Sequence, residues 1–493
     1  MNNIAAVLML SIFIVACNDR RQEPESVGDL TRYSVSELLF FLDNKKITSV
    51  EIVGQLFDKA DERKSLNAYI YADRERALAL AATADAARVS GSKGQPLLGI
   101  PIVVKDNIHV AGMPNTAGSP ALKGFIPDSS NSVVESLRVA GAIVIAKTNM
   151  HELAFGITSN NYEFGAVGNP YDETKFAGGS SGGTATAVSA GLAPAGLGTD
   201  TGGSVRIPAA LTGVVGFRPS SGRYISTAVT PISATRDTVG LIATNVADII
   251  LLDGIVTGRK SSLDKVDVRD LRLGVPRAFL YDNVDVMALV IIEDTLQKLR
   301  AAGVTLVEAD VEDIEALVAQ TAFPIALYEV VRQLPVYLEE FHTGVSYDQL
   351  VAGVASPDVQ GVFGMLAGGG PIDDADYAAA MAARQSMKES FRKYFAENNI
   401  DAIVFPTTLL PARSITGSDE TVILNGAQVP TFPTYIHNTD HASIAGLPSI
   451  SIPAGLTQSG LPIGVALEGP EGSDGRLLAI ALAIEQELAM DAP

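Results

Sequence analysis

The segment Gly178 to Pro208, GGSSGGTATAVSAGLAPAGLGTDTGGSVRIP, constrains this chain more than any other stretch. Two glycine-rich turns, each presenting serine, flank an Ala/Gly-rich run whose side chains are too small for an ordinary core helix. Small residues let backbones approach closely and open conformations that other residues avoid. Amides in such turns can converge on one point, which suits a developing oxyanion. Gly/Ser-rich runs also serve as flexible linkers. A linker has no use for Leu192, Leu197, Val205 and Ile207, nor for the stiff ending Arg206-Ile207-Pro208. This composition reads as a site.

A serine hydroxyl is a weak nucleophile and needs a base within hydrogen-bond reach. The chain has 5 histidines: His109, His151, His342, His437 and His441. None follows a glycine-rich motif at the chain end as in a Ser…Asp…His hydrolase, although His437 and His441 stay open as bases. His151 reads as structural, because a single histidine without partner geometry identifies no base. Lysine can act instead if it is neutral at working pH. Its free pKa is ~10.4, and burial without a compensating carboxylate lowers it by up to ~3–5 units. Lys105 follows Leu97, Leu98, Ile100, Ile102, Val103 and Val104, the pattern of a buried strand. The competing reading is a strand-end lysine that snorkels to solvent or pairs with Asp106. Gly178-Gly179-Ser180-Ser181-Gly182 also fits the G-x-S-x-G nucleophile elbow, which requires an apolar strand before the serine. Tyr171 to Phe176 is polar and turn-like, so that match reads as accidental.

The segments GIPIVVKDN (Gly99 to Asn107), AKTNMHELAFG (Ala146 to Gly156), GNPYD (Gly168 to Asp172), VVGFRPS (Val214 to Ser220) and AGLPSISIPAG (Ala445 to Gly455) accompany the glycine-rich stretch. In this order they resemble the amidase signature family of serine hydrolases, and within it the monofunctional amidases of the mandelamide and indoleacetamide hydrolase type. The likeness runs from about Leu30 to about Leu488. It implies one large α/β domain with a central mixed β-sheet surrounded by helices. It also implies a Ser–Ser–Lys triad: Ser204 as nucleophile, Ser180 as bridging serine and Lys105 as base. Thr201, Gly202, Gly203 and Ser204 would supply oxyanion-hole amides, and the Gly179–Ser180 peptide would be cis. Asp200, Arg206 and Ser181 read as organisers behind the glycine turn.

One departure bears on substrate choice. Relatives of this type usually read NTDPGSNAG where this chain has Asn438-Thr439-Asp440-His441-Ala442-Ser443-Ile444-Ala445-Gly446. His441 stands for the proline, and Ile444 removes an amide near the expected pocket.

Apolar runs predict short strands at Ile102–Lys105, Ile143–Ala146, Gly213–Phe217, Leu273–Pro276, Ile403–Pro406, Ile450–Pro453 and Ile463–Leu467. Helical patterns at Arg74–Ser90, Val133–Ala140 and Asp285–Ala302 alternate with them, which argues for α/β layers. Ser34…Glu37 and Thr48…Glu51 read as capping boxes. Val311 to Asn399 looks the most helical; in the family such a region often covers the active site. Phe323, Tyr328 and Met365 are candidate pocket residues there, against a plain core role.

A net charge of −20 disfavours nucleic acid and anionic lipid as partners, since both need basic patches. The absence of CxxC, HExxH and P-loop patterns implies neither metal nor nucleotide cofactor. The expected partner is a small-molecule amide substrate, with no obligate protein partner.

Ile4 to Val15 is a mostly apolar run, shorter than the ~20 residues of a membrane-spanning helix. It ends in Ile14-Val15-Ala16-Cys17, which resembles a bacterial lipobox, and Cys17 is the chain's 1 cysteine. Residues 1–16 are read as a lipoprotein signal peptide, 17–29 as a polar tether and 30–490 as the catalytic domain. Met1-Asn2-Asn3 lacks the Lys or Arg of a usual signal, leaving an apolar tail or a misassigned start as the alternative. The favoured function is an exported, membrane-anchored amidase that forms an acyl-enzyme and cleaves a small aryl-substituted or apolar carboxamide. A solute-binding lipoprotein and a cytoplasmic glutaminase-type subunit of a tRNA-dependent amidotransferase are the alternatives.

Overall fold

The computed structural model describes residues 28–225, 227–259, 264–367 and 372–488. The expected signal peptide, Cys17 and the tether as far as residue 27 lie outside the described residues. The described chain begins where Asp29 caps a short 3-10 turn, its side chain accepting from the Thr31 amide. Both capping boxes form reciprocally, opening the helices Val35–Asp43 and Ser49–Glu62. Asp73 caps Arg74–Val89 in turn.

The strands of the central sheet, in chain order, are β1 (Tyr69–Ala72), β2 (Pro101–Lys105), β3 (Ile143–Thr148), β4 (Ala195–Asp200), β5 (Val215–Arg218), β6 (Thr238–Ala243), β7 (Arg272–Gly274), β8 (Thr305–Val307), β9 (Ala402–Pro406), β10 (Ser449–Leu456) and β11 (Pro462–Glu468). They form one 11-stranded sheet in the order β1-β3-β2-β4-β6-β5-β10-β11-β9-β7-β8. Pairing is mixed: β2 runs parallel to both β3 and β4, while β6 is antiparallel to β4 and β5. Helices flank the sheet, so the inner strands β2, β3 and β11 are buried throughout and read as largely apolar runs.

Every strand expected from an apolar run is present, but β4, Ala-Gly-Leu-Gly-Thr-Asp, carries no such run. Its small residues answer to packing. A Cβ on Gly196 would lie 2.6 Å from Thr184 Cγ2 and 2.7 Å from Val103 Cγ2. The Ala/Gly-rich run judged too small for a core helix does form one, Gly182–Ser189, buried on nearly every side. It needs small side chains because it packs at backbone contact: a Cβ on Gly183 would lie 2.2 Å from the Asn149 carbonyl oxygen.

The region after residue 311 is helical as expected, with Ile314–Glu340, Tyr347–Ala352, Pro357–Met365 and Asp374–Asn398. Under the long first helix lies a second apolar core, in which Val330, Leu334, Leu350, Val359 and Phe363 are buried. Arg236, just before β6, donates to the Ala322 carbonyl on that first helix and ties this layer to one end of the sheet. At that end β2 delivers Lys105 and β4 delivers Asp200, two parallel neighbours ending together. Carboxyl ends of strands in α/β sheets are where ligand crevices form.

Candidate active site

Lys105 is the last residue of β2 and is wholly buried. Its Nζ lies 2.7 Å from Ser180 Oγ and 2.8 Å from Thr199 Oγ1. Asn107 Nδ2 donates to the same Thr199 oxygen at 3.1 Å. Desolvation holds the Lys105 pKa well below the ordinary lysine value, and the charges of Asp200 and Asp237 offset only part of that effect. The expected rival partner, Asp106, points to the other face of the strand. There its carboxylate lies 3.3 Å from Lys147 Nζ on β3, and it accepts from the Thr116 amide at 2.9 Å. Two buried lysines thus sit on adjoining strands, one with a carboxylate and one without.

Ser180 precedes the Gly182–Ser189 helix, and the Gly179–Ser180 peptide is cis. Ser181 binds this turn to the next: its amide donates to the Ser204 carbonyl at 3.1 Å, and its hydroxyl bridges the Thr199 amide and carbonyl. Ser204 closes the second glycine turn and is 8 % exposed. Gly203 has φ 130°, and a Cβ there would lie 2.1 Å from Thr439 Oγ1, so no other residue fits.

Asp200 holds this turn from behind. It accepts from the amides of Gly203 at 2.9 Å and Val205 at 3.2 Å. Arg206 meets it with two nitrogens, at 3.0 and 2.9 Å, and Arg218 with one at 3.0 Å. Burial would raise the Asp200 pKa; Arg206 and Arg218 outweigh it and hold the carboxyl below the usual range. The Gly203 N–H donates to Asp200, whereas those of Thr201, Gly202 and Ser204 bond to no acceptor among the described residues.

The remaining candidates are placed as follows. His441 is wholly buried, 2.7 Å from Glu468 Oε2, whose other oxygen faces Arg206; it belongs to the network behind Asp200. His437 stacks on Phe279 at 4.2 Å and contacts Asn438, and His151 lies 2.9 Å from Asp358. Among the described residues, neither meets the side chain of Ser180 or Ser204. Ile444 is wholly buried in the main apolar core. Phe323 is half-exposed and faces Phe432 at 6.1 Å. The preceding carbonyl, of Ala322, accepts from Arg236, which also donates to the Thr201 carbonyl. Tyr328 instead stacks on Tyr377 at 3.9 Å, and Met365 is exposed on its helix.

Thr199, Asn107, Arg218, Arg236 and Asp237 were not anticipated. The first three lie inside or beside the motifs already quoted, so the signal was present for them. Arg236 and Asp237 lie in no motif, and only tertiary contact brings them to the turn.

The family model described as Amidase matches residues 51–478. The indoleacetamide hydrolase of Agrobacterium vitis is 42% identical over 92% of this chain and 97% of its own length. The mandelamide hydrolase of Pseudomonas putida is 43% identical over 94% and 93%. In three dimensions, the native peptide amidase of Stenotrophomonas maltophilia superposes with a TM-score of 0.81 at 30% identity, covering 93% of this chain and 98% of that one. The chain belongs to the amidase signature family, whose members hydrolyse amides.

Proposed function

We propose that this enzyme hydrolyses the C–N bond of a small aryl-substituted or apolar carboxamide through an acyl-enzyme on Ser204. The observation that carries the reading is a wholly buried lysine, 2.7 Å from a serine and with no carboxylate in contact. In the reaction, Ser204 Oγ attacks the amide carbon while its proton passes to Ser180 and the Ser180 proton passes to Lys105 Nζ. Amides of Thr201, Gly202 and Ser204 take the charge that develops on the carbonyl oxygen. Collapse of this intermediate breaks the C–N bond, and the proton returns through Ser180 to the departing nitrogen. Water then repeats the attack on the ester, releasing acid and restoring both serines. Thr199 and Asn107 fix the Lys105 amine so that its lone pair faces Ser180.

The substrate class draws support from the names of the relatives and from the walls around the turn. A Cβ on Gly202 would lie 2.6 Å from Ile436 Cδ1, so this side chain roofs the turn. Phe323 and Phe432 extend the apolar surface, with Met150, Ala154, Phe155, Ile232 and Ala326 grouped nearby. Ammonia or amine release from arylacetamides, mandelamide-like amides, aliphatic amides and anilides tests the class. Aryl primary amides should exceed short aliphatic ones by roughly tenfold or more in kcat/KM, the scale on which apolar pockets discriminate. Equal turnover of acetamide would overturn this preference. The relatives at 42% and 43% identity are named hydrolases and lend nothing to the solute-binding or amidotransferase readings.

We also propose export and tethering through Cys17, a reading that rests on the apolar leader and the lipobox-like Ile14-Val15-Ala16-Cys17. At ~0.8 kcal/mol per buried CH₂, several acyl chains on one cysteine hold a protein at a bilayer. Cys17→Ser should abolish lipid incorporation and membrane retention while leaving amidase activity in the soluble fraction. Native protein recovered from the cytosol with Met1 attached would overturn export.

A further inference from the structure

The glycine turn has a second support besides Asp200, at Thr201. β6 lies antiparallel to β4 with Thr238 opposite Asp200, so the residue before β6 lands beside the residue after β4. Those residues are Asp237 and Thr201. Asp237 Oδ1 accepts from the Thr201 hydroxyl at 2.6 Å, while Oδ2 accepts from the amides of Ile232 at 2.8 Å and Ser233 at 3.0 Å. Arg236 completes the grip, its Nε donating to the Thr201 carbonyl at 3.0 Å and a terminal nitrogen to Ala322 on the covering helix at 2.8 Å. Thr201 is therefore held by side chain and by backbone at once.

We propose that Asp237 is a positioning residue for amide hydrolysis, fixing the oxyanion-binding turn through the Thr201 hydroxyl. The inference rests on the reading of Ser204 as nucleophile. Amides that stabilise an oxyanion work only if they already point at where the charge develops, so the grip acts in the transition state more than in substrate binding. The carboxylate also bears on the base. Lys105 feels two carboxylates, Asp200 and Asp237, and both favour its protonated form. Asp200 is neutralised by two arginines in contact, whereas Asp237 is met by a hydroxyl and two amides. Burial pushes the Asp237 carboxyl up, the bonds from Thr201, Ile232 and Ser233 pull it back, and Glu329, which accepts from the Ser233 hydroxyl and from Tyr377 across the 232–235 loop, adds to the rise.

The test uses Asp237→Asn and Thr201→Val in the full chain, with kcat, KM and the pH profile measured on an amide the wild type cleaves. Asp237→Asn should lose about 10²-fold in kcat, the low end for one oxyanion donor, with KM nearly unchanged. Its acid limb of kcat/KM should move to lower pH, because removing the carboxylate removes a charge that favours protonated Lys105. The double variant should be no worse than the poorer single one, and Thr201→Ser should restore most of the rate. A KM rise at constant kcat, an unmoved acid limb, or additive losses would overturn the inference. Fluorophosphonate labelling separates the two levels: Ser204 unlabelled in the wild type overturns the nucleophile and this inference with it. Ser204 labelled in both proteins, with kinetics unchanged by Asp237→Asn, overturns the inference alone.

Discussion

Ser204→Ala is expected to abolish amide hydrolysis, with a loss of roughly 10⁶-fold in kcat, the scale seen when a nucleophile that works as one unit with its base is removed. The same variant should no longer react with a serine-directed fluorophosphonate. Folding should survive, because the fold uses the backbone of Ser204 rather than its hydroxyl: the carbonyl accepts from the Ser181 amide, a bond alanine keeps. Alanine also adds no atoms beside the close Gly203–Thr439 approach. Circular dichroism and a thermal midpoint near that of the wild type would separate lost chemistry from lost structure. Ser180→Ala should behave differently. It removes the atom that Lys105 meets at 2.7 Å, so labelling should slow while the site of labelling stays at Ser204. Labelling that persists in Ser204→Ala and vanishes in Ser180→Ala would move the nucleophile to the first glycine turn.

The parts of this site that were legible in sequence are those in which a residue's own chemistry is unusual. Lys105 at the end of an apolar strand, and glycines where a Cβ cannot fit, announce themselves locally. The roles of the two serines came from family resemblance, since spacing alone does not decide which serine attacks. What stayed hidden depends on contacts between distant segments. Nothing near Lys105 says that Asp106 turns away to Lys147, because Lys147 arrives on a neighbouring strand. Asp237 reaches Thr201 only through the pairing of β4 with β6. The strand β4 went unread for a related reason. Strand propensity reflects packing of larger side chains, and here the side chains of Thr184, Val103, Ser181 and Val205 leave room only for glycine at 196 and 198. His441 lies buried against Glu468, and Ile444 in the main core, placements that the substituted positions alone do not reveal. The clustering of helices between 311 and 399 was readable from pattern, but which of its side chains face the turn was not.

Lys105 carries the second large expectation, which concerns both rate and stability. As a neutral base it works only when deprotonated, so kcat/KM should fall as pH drops through its lowered pKa and hold steady above it. Lys105→Met keeps the volume and removes the base, and should cost about 10⁴-fold in kcat, the upper range for a positioned general base. His437 and His441 are engaged by Asn438 and Glu468 and offer no rescue. Stability should also rise with pH, over the window above the lowered pKa rather than through it. Between the lowered pKa of the folded state and the ordinary lysine value, the unfolded chain binds a proton that the folded chain does not. In that window folding must strip the proton from Lys105, a cost that shrinks as pH rises and the unfolded chain loses the proton too. Methionine has no proton to lose. The wild type should therefore gain stability relative to Lys105→Met as pH increases from neutrality toward 10, measured by denaturant unfolding at several pH values. A difference that does not change with pH would mean that Lys105 is charged in the folded protein. A near-normal rate in Lys105→Met would mean that the proton leaves Ser180 by another route. Either result removes the base from the mechanism, because burial against Ser180 is useful only to a lysine that is neutral when the substrate arrives.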